Sequence, residues 1–302
     1  MAPGCRSIRN LTIVPGPRSG AFLFTELRDC SILNNLQSKA WVPSIMQKAF
    51  NDLRYSASTR VGLLAWALTM LALPVLGWVI GGDFLLRGIS LAVLIQTTVV
   101  LVILVQGWGW RRAGFVFVTV VGLAYLAELL GVSFGIPFGK YHYTALLQPQ
   151  IAGVPALIPL AWWMLLPPAW AVSGLITRRS GRSIPFLLVS ALAFTAWDLF
   201  IDPQMVAWGF WRWEVPGQYF GVPWNNYLGW FLVSALITFI ANPANLPSGA
   251  LSLVYVLTWI LQTTAQGVFW QQPGPALAGF MVTCVFISLA FWRGEKKDKS
   301  DN

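Results

Sequence analysis

Eight long apolar stretches constrain the fold of this chain more than any other feature of its sequence. A membrane-spanning helix needs ~20 mostly apolar residues, and the mean hydropathy of the chain is +0.64. Charged residues make up only 10% of it, whereas soluble domains carry about 25%. We predict an all-α, polytopic membrane protein with spans at residues 61–81, 85–106, 113–132, 151–176, 184–202, 227–241, 249–267 and 275–292.

Two of these spans are less regular than the rest. Residues 227–241 are short unless Trp224 and its neighbours extend them. Residues 151–176 contain four prolines, so this span is expected to be kinked or partly re-entrant. Seven spans is therefore the alternative to eight.

The two ends of the chain differ from its apolar body. Residues 1–60 hold eight of the twenty basic residues and lack the continuous hydrophobic core of a signal peptide. We interpret them as a basic, partly disordered, cytosolic extension, and Met46 is an alternative start. Residues 61–292 are then the transmembrane catalytic domain, and residues 293–302 are a charged cytoplasmic tail.

Basic residues indicate the orientation, because they concentrate on cytoplasmic loops. With eight spans and both termini in the cytoplasm, the basic residues from Lys48 onward divide into twelve on inner segments and three, Arg87, Lys140 and Arg212, on outer loops. We expect a multi-pass protein of the plasma or inner membrane. The net charge of +9 fits this topology and contact with membrane lipids, not binding to nucleic acid.

Metal-binding residues are scarce. The three cysteines, Cys5, Cys30 and Cys284, show no metal-ligand spacing, and His142 is the only histidine. These counts exclude a histidine-rich di-iron site and do not favour a zinc site. We expect no bound metal.

Five acids lie in the membrane body of the chain. By the predicted topology all five fall at or near the outer face, and carboxylates inside spans are costly and usually functional. A single shared site is therefore expected, although Asp83 and Glu214 are equally explained as solvated interfacial groups. The five acids are Asp83, Glu128, Asp198, Asp202 and Glu214.

Asp198 and Asp202 are the sharpest candidates, since their i, i+4 spacing sets them on one helix face. Pro203 follows at once, so we expect the helix to end or kink there. Two close carboxyl groups in a low-dielectric site do not readily ionise together, so one is expected to stay protonated. The pair then supplies a proton donor and a base.

Aromatic residues surround these acids in the sequence. Their faces attract cations, most strongly in a dry site, whereas an interfacial aromatic belt is the simpler explanation for any single tryptophan. Together with the acids they suggest protonation of an alkene in a lipid-soluble substrate, with the cation shielded by rings and captured by water. The candidates are Trp197, Trp211, Trp213, Tyr219 and, from the loop of 134–144, Tyr141 and Tyr143.

Four sequence blocks resemble one known family, the CruF-type carotenoid hydratases. They are FGIPFGKYHYT (134–144), GVPALIPLAWWM (153–164), AWDLFIDPQMV (196–206) and GQYFGVPWNNYLGW (217–230). The resemblance covers roughly residues 60–292. It implies a membrane enzyme of carotenoid biosynthesis that needs no redox cofactor and adds water across the terminal C1=C2 bond of an acyclic ψ end group. Substrates of the γ-carotene or lycopene type would become tertiary 1-hydroxy carotenoids, and other enzymes of the pathway are candidate partners.

The resemblance does not assign the acid. From the chemistry we expect Asp198 or Asp202 to donate the proton, and the other, or Glu128, to hold the attacking water. Tyr141 and Asn225 are candidates to orient water or an acid, while Asn225 and Asn226 are equally expected to cap the next helix.

Three other classes of function remain open. An intramembrane prenyltransferase would use the aspartates to hold Mg²⁺ and a diphosphate, but the outer loops offer few cations for the phosphates. A proton-coupled carrier also fits intramembrane acids and proline-rich helices. A lipid-binding scaffold of the pigment pathway would not need the paired acids.

Overall fold

The computed structural model describes the backbone of residues 57–80 and 82–298 and the side chains of residues 57–80 and 87–293. Eight helices in these ranges are long and apolar enough to cross a membrane, so the prediction of an eight-span, all-α protein is confirmed. They are α1 (Ala57–Ile80), α2 (Gly82–Trp108), α3 (Trp110–Phe134), α4 (Leu157–Thr177), α5 (Ile184–Ala207), α6 (Trp224–Ala241), α7 (Ser248–Thr264) and α8 (Pro273–Asp298). A π-helical segment, Ala265–Phe269, continues α7.

The predicted terminal segments fall partly outside the described residues. Residues 1–56 of the predicted basic extension, including the alternative start at Met46, lie outside them, and so do residues 299–302 of the predicted tail. Where the chain is described, α1 begins at Ala57 and α8 continues to Asp298, so both terminal spans are longer than predicted. The α6 helix does begin at Trp224, which gives that span the extra turn it needed.

Helix α4 lies at the centre of the bundle and packs against α2, α3, α5, α7 and α8. Three of its tryptophans, Trp162, Trp163 and Trp170, are buried. Each of their indole N–H groups donates a hydrogen bond, for example from Trp170 to the Thr238 hydroxyl at 2.8 Å. Large rings with a satisfied polar edge can fill the interior of a helical bundle without leaving a buried donor unpaired. Helix α1, in contrast, packs mainly on α2, with a smaller contact to α7 and the π-helical segment.

The predicted fourth span begins too early. Residues 150–155 form a hairpin in which β2 (Gln150–Ile151) pairs with β3 (Val154–Pro155). The turn residues Ala152 and Gly153 both have positive φ, 49° and 81°, as a tight hairpin turn requires. Helix α4 starts only at Leu157 and is then continuous to Thr177, so the re-entrant alternative is wrong.

Helix α4 passes through two interior prolines, Pro167 and Pro168. A proline has no N–H for the carbonyl four residues earlier, which for Pro168 is the carbonyl of Met164. The Gln96 side chain of α2 donates to that carbonyl at 3.4 Å. A neighbouring helix thus supplies the donor that the proline removes, as is typical inside membranes.

Helix α5 corrects a second expectation, since it continues through Pro203 to Ala207. The carbonyl that Pro203 leaves without an N–H belongs to Leu199, and the Tyr219 hydroxyl donates to it at 3.1 Å. Burial and the nearby Asp198 raise the pKa of Tyr219 to about 12, so the phenol stays protonated and can donate. Asp198 and Asp202 therefore sit on one uninterrupted helix.

A short antiparallel sheet joins two loops at the end of the bundle where α3 and α5 finish. Strand β1 (Tyr141–Tyr143) pairs with β4 (Trp211–Trp213), in the register Tyr141↔Trp213 and Tyr143↔Trp211. Side chains alternate between the two faces of a strand. Here the inner face carries two tyrosines and two tryptophans, while the central pair, His142 and Arg212, is exposed.

Candidate active site

Three carboxyl groups meet beneath this sheet. Glu128 near the end of α3 and Asp198 and Asp202 near the end of α5 are all buried. Of the other two predicted acids, Glu214 is exposed, and the side chain of Asp83 lies outside the described residues. The expected five-acid site is therefore a three-acid site, as far as the described side chains extend.

One amide connects the two aspartates. Asn226, in the first turn of α6 and buried, donates from Nδ2 to Asp198 Oδ2 at 2.7 Å and also to Asp202 Oδ2. The sequence had favoured Asn225 instead, but its side chain is exposed and lies beside Gly139. Neither asparagine caps α6, whose N-cap is Pro223 without a side-chain hydrogen bond.

Glu128 accepts three hydrogen bonds. The hydroxyls of Tyr141 and Tyr143 donate to Oε2 at 2.5 and 2.7 Å, and Trp162 donates from Nε1 to Oε1 at 3.1 Å. Burial, reinforced by the neighbouring Glu128, raises the pKa of both tyrosines well above the usual range. Both phenols therefore stay protonated and hold the carboxyl group as an acceptor. The sequence pointed to the two tyrosines but not to Trp162.

A small cavity of about 40 Å³ lies between Glu128 and the aspartates. That volume is enough for a few water molecules, and the polar lining supplies hydrogen-bond partners for them. Asp198 is not part of the lining. The cavity is lined by Glu128, Phe138, Tyr141, Tyr143, Ile158, Ala161, Trp162, Ile201, Asp202, Trp211, Trp213, Asn226 and Trp230.

A larger cavity of about 120 Å³ adjoins the small one. Its walls come from α1, α2, α4, α5 and α7 together with the loop residues Leu147, Trp211 and Trp270, and they are almost entirely apolar. Four residues, Ile158, Ala161, Ile201 and Trp211, line both cavities. We call these four the junction. A hydrocarbon in the larger cavity would thus meet carboxyl groups only at the junction end.

The aromatic candidates separate into two groups. Trp211 and Trp213 line the small cavity, and Trp197 lines the large one, where its ring packs against Tyr255. Tyr219 lines neither cavity and supports Pro203 instead. Trp162 and Trp230 were not anticipated, although they stack on each other with ring centroids 4.7 Å apart at the wall of the small cavity.

Among the residues whose side chains the structure describes, no lysine, arginine or histidine lines either cavity. Among the described residues, no group of three or more histidine, cysteine or acidic side chains is arranged to hold a metal ion. The chemistry available from the lining is thus proton donation and acceptance beside aromatic faces.

Comparison with known proteins gives one family and one relative. The family model described as "Carotenoid biosynthesis protein" matches residues 88–286, which include every residue of the three-acid site. The bisanhydrobacterioruberin hydratase of Haloarcula japonica is 40% identical over 124 residues, covering 40% of this chain and 42% of the relative. The aligned region thus spans less than half the length of that relative. No solved structure matches the chain.

Proposed function

Because the chain belongs to the carotenoid biosynthesis protein family, whose model matches well over half of it, we propose that it is a carotenoid hydratase. The reaction is addition of water across the terminal C1=C2 bond of an acyclic ψ end group, as in γ-carotene or lycopene, to give a tertiary 1-hydroxy carotenoid. The carrying observation is that Asp202 and Glu128 line one small aromatic cavity that shares the four junction residues with an almost entirely apolar one.

The larger cavity suits the terminal part of such a polyene, because about 120 Å³ accommodates only a fragment of roughly benzene size. Its lining offers dispersion contacts and almost no polar surface, so a hydrocarbon chain loses nothing on leaving the lipid. One wall includes Met70 and Leu73 of α1, the helix that packs mainly on α2. A substrate dissolved in the bilayer would enter past this peripheral helix without crossing water.

Asp202 is assigned the role of proton donor. Of the two paired aspartates, it is the one that lines the cavity. Two neighbouring carboxyl groups with one amide between them favour a single shared proton over two charges. Transfer of that proton to C2 generates the more stable tertiary cation at C1.

The aromatic wall then stabilises the cation. Trp162, Trp211 and Trp213 surround the cavity next to Asp202, and cation–π attraction in a desolvated site contributes about 2 kcal/mol or more per well-placed ring. Shielding by rings delays the loss of a proton back to the alkene, so that water has time to attack.

Glu128 is assigned the role of the base that binds the attacking water and accepts its proton. Its carboxyl group is held as an acceptor by Tyr141, Tyr143 and Trp162, so it is suited to take a proton from water as the C1–O bond forms. In one hydration step Asp202 loses one proton and Glu128 gains one, and the substrate gains one water; a proton returned to Asp202 and one released from Glu128 complete the cycle. No electron transfer is involved.

Co-expression in a bacterial host that makes lycopene or γ-carotene tests the proposal. Wild type should give a pigment heavier by one water, detected by chromatography and mass spectrometry. Asp202→Asn and Glu128→Gln should lose it, while Glu214→Gln, a change at an exposed acid, should keep it. A well-expressed wild type that hydrates no ψ-ended carotenoid would reject the hydratase in favour of a carrier of lipophilic molecules, the other function that buried acids beside an apolar cavity support.

The prenyltransferase alternative has little support from the site. A diphosphate needs cations or a bound metal to balance its charge, and the residues lining both cavities include no basic side chain. Product formation that depends on added Mg²⁺ and a diphosphate substrate would favour the prenyltransferase over the hydratase.

A further inference from the structure

Asp198 differs from Asp202 in what surrounds it. It is fully buried, yet it lines neither cavity. Its Oδ2 atom accepts from Asn226 at 2.7 Å, whereas its buried Oδ1 atom has no hydrogen-bond partner among the described residues. A buried carboxyl oxygen left without a partner is expensive, so this atom is expected to contact a bound water.

A second orphaned group lies nearby. The Tyr227 hydroxyl is buried and has no hydrogen-bond partner among the described residues. Tyr227 follows Asn226 on α6, and its ring packs on Tyr219, whose hydroxyl donates to the carbonyl of Leu199, the residue next to Asp198. One water between the two orphaned groups would satisfy Asp198 Oδ1 and the Tyr227 hydroxyl together, because each water makes about three hydrogen bonds.

Tyr227 also leads towards the surface of the protein. Its ring lies 5.7 Å from that of Tyr219 and 5.5 Å from that of Trp224, measured between centroids. The Trp224 side chain is 60% exposed. Tyr227 therefore belongs to an aromatic cluster that reaches the protein surface at Trp224.

We propose that Asp198 is the proton reservoir that reloads Asp202, and that a water held between Asp198 Oδ1 and the Tyr227 hydroxyl supplies Asp198 in turn. This inference rests on the proposed hydratase function and deepens it. After Asp202 has given its proton to the alkene, Asp198 passes a proton to Asp202 and regains one through the bound water and Tyr227. The proton that Glu128 took from the attacking water leaves to the aqueous phase, so one proton enters and one leaves per turnover.

The two aspartates then have different roles that kinetics can separate. Asp202 is needed for every proton transfer to substrate. Asp198 acts between turnovers, and Asp202 still begins a single turnover protonated without it, because a lone carboxyl group in a low-dielectric site disfavours its charged form. A purely structural role for Asp198 would instead lower both phases equally. The comparison to make is between a single turnover, with enzyme in excess over carotenoid, and steady-state turnover of the purified full chain in lipid nanodiscs.

The expected pattern is specific. Asp198→Asn should form close to one product per enzyme at a rate within a few-fold of wild type, and its steady-state rate should then fall at least tenfold. Asp202→Asn should lose both phases. Replacing H₂O by D₂O should slow the steady state of Asp198→Asn more than its single turnover.

Tyr227→Phe provides a milder variant that removes one hydroxyl. It should slow the steady state several-fold and leave the single turnover intact. Tyr255→Phe is the matched control, because Tyr255 is also a buried tyrosine but donates to the Ala193 carbonyl at 2.9 Å. If Asp198→Asn fails to fold, as judged by size-exclusion chromatography, the comparison of Tyr227→Phe with Tyr255→Phe tests the inference instead.

Three outcomes would count against the inference. Equal losses of the single-turnover and steady-state rates in Asp198→Asn would show that Asp198 has only a structural role. Equal rates for Tyr227→Phe and Tyr255→Phe would argue against a water bound between Asp198 and Tyr227. In both cases wild type still hydrates, so the proposed function survives. Absence of product from wild type even in a single turnover would instead reject the function, and this inference with it.

Discussion

Asn226 holds two aspartates with a single amide, and this makes it the most informative side chain to change. Asn226→Leu keeps a similar volume but leaves Asp198 and Asp202 without their shared donor. Hydrogen bonds to charged groups contribute ~1.5–3 kcal/mol, so we expect the rate of hydrated product formation to fall by about 10-fold or more. Asn225→Leu, at the exposed neighbouring position, is the control and should stay near wild type. Equal rates for Asn226→Leu and Asn225→Leu would contradict the role of Asn226 in holding the two aspartates.

The choice between Asn225 and Asn226 could not be made from sequence. Adjacent helical residues point about 100° apart, so the choice depends on the rotation of α6 about its axis. That rotation is set by packing against α3 and α5, not by residues 224–241 themselves. Trp162 was missed for a related reason, since it reaches Glu128 from a different helix. Tyr141 and Tyr143 were predicted only as hydroxyl-bearing residues of the loop 134–144, and the strand that sets both on one face was not predicted.

Tyr141 and Tyr143 donate to the same carboxyl oxygen, Glu128 Oε2, so their contributions should not be independent. We expect each single change to Phe to slow hydration by roughly tenfold, from the loss of one hydrogen bond to a charged group. The double variant should lose less than the product of the two single effects, because residues in one network do not add. Steady-state rates of the four proteins measure this, and strict additivity would show that the two hydroxyls act separately.

Pro203 shows how a local rule can mislead about a whole helix. The missing N–H predicted an end or a kink of the helix at residue 203, and the end is wrong: the helix continues to Ala207, with Tyr219 of the following loop donating to the Leu199 carbonyl. No residue near Pro203 in the sequence indicates that Tyr219 donates to this carbonyl. The eight spans, in contrast, follow from apolar composition summed along each segment, and they were predictable for that reason.

The pairing of Tyr219 with Pro203 gives a test by rescue. Tyr219→Phe should leave the Leu199 carbonyl unsatisfied and lower the free energy of unfolding by about 1–3 kcal/mol. Pro203→Ala restores an N–H at the position that can reach the same carbonyl. In the Pro203→Ala background, Tyr219→Phe should therefore cost much less. Thermal unfolding of the four proteins in one detergent measures the difference, and an unchanged cost would mean that Tyr219 acts in another way.

The orientation of the whole bundle in the membrane follows from its basic residues. We expect the end that carries Arg111, Arg178 and Arg293 to face the cytoplasm, so the sheet and the carboxyl site lie near the opposite face. Single cysteines at exposed Arg212 and at Arg179, in a chain whose three native cysteines are replaced by serine, can be treated with a membrane-impermeant maleimide. In intact cells only the cysteine at 212 should react. Labelling at 179 alone would invert the orientation.

We expect the end group of the substrate to pass between the two cavities at the junction, which draws its residues from α4, α5 and the sheet and so from no single segment of sequence. Ala161 is its smallest member, and an indole there would close the passage. Ala161→Trp should still bind a polyene, detected by the shift of its visible absorption band in the purified protein, while hydration falls by about 100-fold or more, the scale of effect expected when reacting groups are displaced from contact. Val118→Trp, on an exposed side of α3, is the matched control and should leave both properties unchanged. Hydration that survives in Ala161→Trp would mean that the end group reaches Asp202 by another path, and loss of binding would mean that the larger cavity is not where the polyene rests.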